Sequence, residues 1–143
     1  DERLVERADA TGKAFMSALE PMVEKFELVR AVRGKGLMIG IEFGEPRSLK
    51  LRSSWRMMER LRPGLFTQMI VVPMLHRHRV LTQVAGDNMN ILKILPPLVA
   101  GQEEVDHFVD AFQDVVTDAH RYPGLVWDFG RTVAKSALKR ESV

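Results

Sequence analysis

A small α+β domain is the fold class the sequence predicts: an antiparallel or mixed sheet of three to four strands, covered by helices on one face. Three observations predict it. Residues 28–43 hold two short apolar runs around Gly34-Lys35-Gly36. Later, Ile91-Leu92-Lys93-Ile94-Leu95 reads as a strand closed by Pro96-Pro97, since proline cannot donate to a ladder. Residues 105–119 then repeat with the 3.6-residue period of an amphipathic helix.

The chain opens on helical spacing. Leu4, Val5, Ala8, Phe15, Ala18, Leu19 and Met22 recur at three- and four-residue intervals. Pro21 must kink that helix or start a second short one, because it lacks the N–H a helix interior needs. Leu28 to Arg33 and Leu37 to Phe43 read as strands. In the second, Leu37, Ile39, Ile41 and Phe43 share one face and Met38, Gly40 and Glu42 the other. The Gly34-Lys35-Gly36 segment suits a hairpin connection, because glycine reaches positive φ at little cost.

Ser48 stands where it can cap a following helix, whose inward stripe is Leu51, Trp55 and Met58. Pro63-Gly64 ends that helix, and an apolar helix runs from about Leu65 towards His76, disturbed at Pro73. Val80 to Val84 and Asn90 to Leu95 form a second strand pair around Gly86-Asp87-Asn88. In the helix that follows, Val105, Phe108, Val109, Phe112, Val115, Val116 and Ala119 point inward, and Glu103 and Glu104 suit the positive end of its dipole. Beyond Tyr122-Pro123-Gly124, residues 123–143 read as an additional amphipathic helix with Phe129, Val133, Ala134, Ala137 and Leu138 inward. The domain proper is residues 1–122. The methionines are read as gap-filling core.

Length and composition bound the function. At 143 residues the chain fits one domain, able to bury about two-thirds of its unfolded surface. The formal charge is only +2, with signs interspersed, which speaks against a nucleic-acid partner. There is no cysteine, so disulfides, thiolate metal sites and cysteine nucleophiles are excluded. No apolar run approaches the roughly 20 residues that span a bilayer. With no signal peptide in view the expected compartment is the cytoplasm. Asp1 already lies within a helical pattern, which suggests a piece of a longer protein.

Most motif-like strings dissolve on inspection. Gly34-Lys35-Gly36 lacks the third glycine and strand-to-helix setting of a dinucleotide fingerprint, and the Lys-Ser/Thr of a P-loop. His76-Arg77-His78-Arg79 puts cations between its histidines, which disfavours a metal and suits a solvated helix end. Asp128-Phe129-Gly130 has none of the companions of a kinase site. Ser53, Ser54, Thr82 and Thr117 have no histidine partner by motif. Lys93 is different. Strand alternation sets it beside Ile91 and Leu95, so a charge interrupts an apolar face. Either it snorkels from the sheet margin, or the face lines a cleft and Lys93 meets an anion.

The Val32-Arg33-Gly34-Lys35-Gly36-Leu37-Met38-Ile39-Gly40-Ile41-Glu42 hairpin resembles that of class III pyridoxal-phosphate aminotransferases. So do Val80-Leu81-Thr82-Gln83 and Leu92-Lys93-Ile94-Leu95-Pro96-Pro97-Leu98, followed by a Glu-Glu-Val-Asp helix start. The likeness covers about residues 1–122 and implies the C-terminal small domain of a fold-type I enzyme, usually a homodimer. It implies pyridoxal 5'-phosphate as cofactor, an amine or amino acid donor, and a keto or aldehyde acceptor. It also implies that the Schiff-base lysine and cofactor contacts lie in a large domain that this chain lacks, so that no catalytic or cofactor-binding residue is expected here. Many relatives carry an arginine before Pro-Pro-Leu that clamps a substrate carboxylate; this chain has Lys93, the one candidate substrate-binding residue. An ammonium does not replace a bidentate guanidinium one for one. The rival reading is a non-catalytic α+β module that uses its half-polar sheet face for self-association or small-ligand binding.

Overall fold

The computed structural model describes residues 3–121. The expected helix over 123–143 lies outside them. Among the described residues the order is α1 (Leu4–Leu19), α2 (Pro21–Lys25), β1 (Val29–Lys35), β2 (Met38–Phe43), α3 (Leu49–Leu61), α4 (Leu65–His78), β3 (Gln83–Val84), β4 (Ile91–Ile94) and α5 (Gln102–Arg121). The strands form one sheet in the order β1-β2-β4-β3, antiparallel throughout. The predicted fold class holds.

Period-two alternation decides what each face of the sheet meets. Ile39, Ile41 and Phe43 of β2 and Leu92 and Ile94 of β4 are buried under the helices. Against them pack Phe15 and Leu19 of α1, Phe66 and Ile70 of α4, and Val105, Phe108 and Phe112 of α5. Phe43 meets Phe66 edge-on at 5.1 Å between ring centres, and Phe15 meets Phe108 at 5.8 Å. Such pairs add about 0.5–1.5 kcal/mol beyond the area they bury.

Several boundaries differ from the sequence reading. Lys35 pairs with Met38, so the hairpin loop is Gly36-Leu37, and only Gly36 has a positive φ, +55°. Positive φ at the first central residue alone suits a type II′ turn. Leu37 is buried at the turn rather than paired in the strand. Residues 80–82, expected as strand, are not; only Gln83–Val84 pair with β4. Helix α4 continues through Pro73, because Met69, Ile70 and Met74 are all buried around it. Their packing outweighs the roughly 3 kcal/mol an interior proline costs. The methionines divide: Met22, Met58, Met69 and Met74 are core, whereas Met38, Met57 and Met89 are exposed.

The His76–Arg79 run is only partly a solvated end. Arg77 Nη1 lies 2.7 Å from Asp118 Oδ2, and His78 Nε2 lies 2.8 Å from Asp114 Oδ2, tying α4 to α5. Ser48 precedes α3 but does not cap it with its side chain, and its buried Oγ has no partner among the described residues. Glu27 does the capping instead, its Oε2 accepting the Ser48 N–H at 2.7 Å. That bond holds the Glu27 carboxyl below its ordinary 4.5, so its contribution is present above that pH and is lost as pH falls through the lowered value. Glu27→Gln is expected to lower the midpoint of thermal unfolding at pH 7, with the two proteins converging in acid once the Glu27 carboxyl is protonated. A midpoint gap that persists undiminished at acid pH would contradict this account.

Candidate functional site

The face of the sheet turned away from the helices is where the sequence-predicted residue lies. The pairing register resolves it into rows across the strands. Arg33, Gly40, Lys93 and Gln83 are successive cross-strand partners, and Ala31, Glu42 and Ile91 form the next row. On the other side, Lys35 pairs with Met38 at the end of the ladder, and Leu81 and Leu95 lie outside the paired strands. Met38, Leu81 and Leu95 are 68%, 74% and 58% exposed.

Charges on the face are unevenly committed. Glu42 takes both arginines of β1, with Oε2 3.2 Å from Arg33 Nη2 and Oε1 3.8 Å from Arg30 Nε. Lys93, half-buried, makes no ion pair among the described residues. Gly40 lies directly across from it. A Cβ on Gly40 would stand 3.2 Å from Ile91 Cγ2, so the isoleucine methyl leans into the space the glycine leaves. The lysine is thus a point charge set beside an aliphatic side chain and a glycine.

Two concavities lie away from Lys93. One of about 560 Å³ is bordered by Glu24, Glu27, Glu45, Arg30 and Arg47. Another, of about 490 Å³, lies on the helical side between Phe15, Val80, Ile94, Pro96 and Phe108, rimmed by Arg79 and His107. Among the described residues no group of three or more His, Asp or Glu is placed to hold a metal, and no helix is long and apolar enough to cross a membrane.

Comparison with known proteins gives the frame in which this face belongs. Residues 1–116 match the sequence profile of the family described as aminotransferase class-III. The chain belongs to the class-III aminotransferase family. It is 29% identical over 117 residues to an alanine–glyoxylate aminotransferase 2-like protein of Drosophila melanogaster, covering 82% of this chain and 22% of that protein. It is 31% identical over 125 residues to a leucine/methionine racemase of Thermococcus litoralis, covering 82% and 24%. The fold matches a thermostable omega transaminase from Pseudomonas jessenii with a TM-score of 0.68 at 23% identity, covering 86% of this chain and 25% of that one. This class-III chain therefore spans between a fifth and a quarter of the length of these relatives.

The residues in hand do not fit a pyridoxal phosphate cradle. Lys13, Lys25, Lys35 and Lys50 are exposed, Lys13 being paired with Asp9 at 2.6 Å. At the starts of α3 and α5 the N–H of the preceding residue is taken by Glu27 and by Glu104, whose Oε2 accepts the Gly101 N–H at 2.8 Å. A carboxylate already seated at each of these starts repels a phosphate there.

Proposed function

We propose that this chain is the C-terminal part of a pyridoxal-phosphate-dependent aminotransferase. In that reading the parent moves an amino group from an amine or amino acid to a keto or aldehyde acceptor, and acts as a homodimer. The family match over residues 1–116 supports it. The cofactor supplies the electron sink for the chemistry and is held, with its lysine, by residues outside this chain.

The part assigned to these residues is to wall the cleft and select substrate. Lys93 precedes Ile94-Leu95-Pro96-Pro97-Leu98, where the family resemblance sets a carboxylate-binding arginine, and it is uncommitted on an open face. The sheet holds Lys93 between Gly40 and Gln83, from where its ammonium meets the substrate anion as a point charge. The chain's own contribution is binding and orientation, with no proton transfer assigned to it.

The test uses the full parent protein purified with pyridoxal phosphate. A visible absorbance band of bound cofactor that bleaches with an amine, together with transfer of nitrogen to an added keto or aldehyde acceptor, is the expected result. Interconversion of amino acid enantiomers with no acceptor would make it a racemase and overturn the transfer reading. A parent with neither band nor turnover would leave the non-catalytic module.

A further inference from the structure

Lys93 replaces a fork with a point, and the sheet places a second donor where the other prong would be. We propose that Gln83 is a specificity-determining residue that works with Lys93, the two side chains jointly binding one carboxylate of the substrate. The inference rests on the aminotransferase reading of the same face and names a residue and a substrate class that reading leaves open.

The argument is one of neighbours. On an antiparallel sheet a side chain touches the residues two away on its own strand and those directly across on either side. For Lys93 these are Ile91 along β4, Leu95 one residue past its end, Gly40 across on β2 and Gln83 across on β3. Two are aliphatic and one has no side chain. Gln83 is the polar residue directly across, while Glu42, on the diagonal, is held by Arg33 and Arg30. Cross-strand partners have Cβ atoms about 4.5–5.5 Å apart, so an ammonium and a carboxamide extended from such a pair converge on the two oxygens of one carboxylate. Among the described residues the Gln83 amide makes no hydrogen bond, so its N–H donors are not committed elsewhere.

The nearest other cations are Arg33, which shares Glu42 with Arg30, and Lys35, which stands beside Met38 at the end of the ladder. The pair itself offers one ammonium and one neutral amide, which matches the single charge of one carboxylate. The substrate class that the pair fits is an amino acid with one carboxylate here and an aliphatic body along Ile91.

The experiment compares an aliphatic monocarboxylic amino acid with the alkylamine of matching length, in the full-length parent loaded with its cofactor. Gln83→Leu removes the donor and keeps the shape. It is expected to raise KM for the amino acid roughly three- to tenfold, the size of one net hydrogen bond, with kcat nearly unchanged and the alkylamine unaffected. Adding Lys93→Arg to Gln83→Leu is expected to restore the amino acid's KM, because the guanidinium carries both donors itself. Equal effects on both substrates, or no effect on either, in an enzyme that does transfer nitrogen would overturn the role of Gln83 and leave the aminotransferase reading intact. A parent that transfers no nitrogen from any amine would sink both.

Discussion

Gly12→Val is expected to prevent stable folding, and even Gly12→Ala to destabilise the protein by about 2–3 kcal/mol. Helix α1 crosses the hairpin so closely that a Cβ on Gly12 would stand 2.1 Å from the carbonyl oxygen of Gly36 and 2.5 Å from its carbon. Two effects oppose each other in the alanine variant. Alanine gains about 1 kcal/mol of helix propensity over glycine. Overpacking costs about 1–3 kcal/mol and sometimes more, the upper end applying where the neighbour cannot rotate away. Here the neighbour is backbone at a tight turn, already held at positive φ. The whole helix must lift, which strips Phe15 and Leu19 from the sheet. Overlap therefore wins over propensity. Thermal unfolding of the Gly12→Ala parent checks this; a midpoint equal to or above wild type would show that the crossing is looser than it looks.

How much of this was legible beforehand depends on whether a feature is local. Helix α5 and strand β2 announce themselves because each buries one face along its whole length, so the period is visible without knowing the partner. The cap of α3 was not legible. Ser48 has the right chemistry in the right place, yet the bond is made by Glu27, twenty-one residues earlier in sequence, which only the folded chain brings near. The same holds for Gly12, whose need for a missing side chain arises from Gly36 across a tertiary contact. Residues 80–82 have strand composition but follow a left-handed helix end at Arg79, with φ of 59°, and join no ladder before Gln83.

For the site, alternation alone set Lys93 against Ile91 and Leu95, and the register bears that out for Ile91, Leu95 lying one residue past the end of β4. What alternation cannot supply is the cross-strand half of the surroundings. The order β1-β2-β4-β3 puts β4 between β2 and β3, and so puts Gly40 and Gln83 beside the lysine. Gln83 carries no signal of its own in the sequence. The commitment of Arg33 to Glu42 was equally hidden, since it needs the hairpin register to be known.

Lys93→Ala should separate stability from selection more sharply than any other change in the chain. The lysine is half-buried and holds no ion pair among the described residues, so its loss should alter stability by no more than about 0.5 kcal/mol. A charge-assisted hydrogen bond to a substrate carboxylate is worth about 1.5–3 kcal/mol, which corresponds to a roughly ten- to hundredfold fall in kcat/KM for a carboxylate-bearing donor. Lys93→Glu should be worse for that donor, because a like charge replaces the missing attraction, and should leave simple alkylamines close to wild type. Steady-state kinetics on the two donors, read beside thermal unfolding, tests the point. If Lys93→Ala unfolds the protein, the lysine is a structural snorkel. If both donors suffer alike, it orients the cleft without touching the anion. Only a selective loss at unchanged stability places a carboxylate on this lysine, and that pattern distinguishes recognition by this face from simple maintenance of its shape.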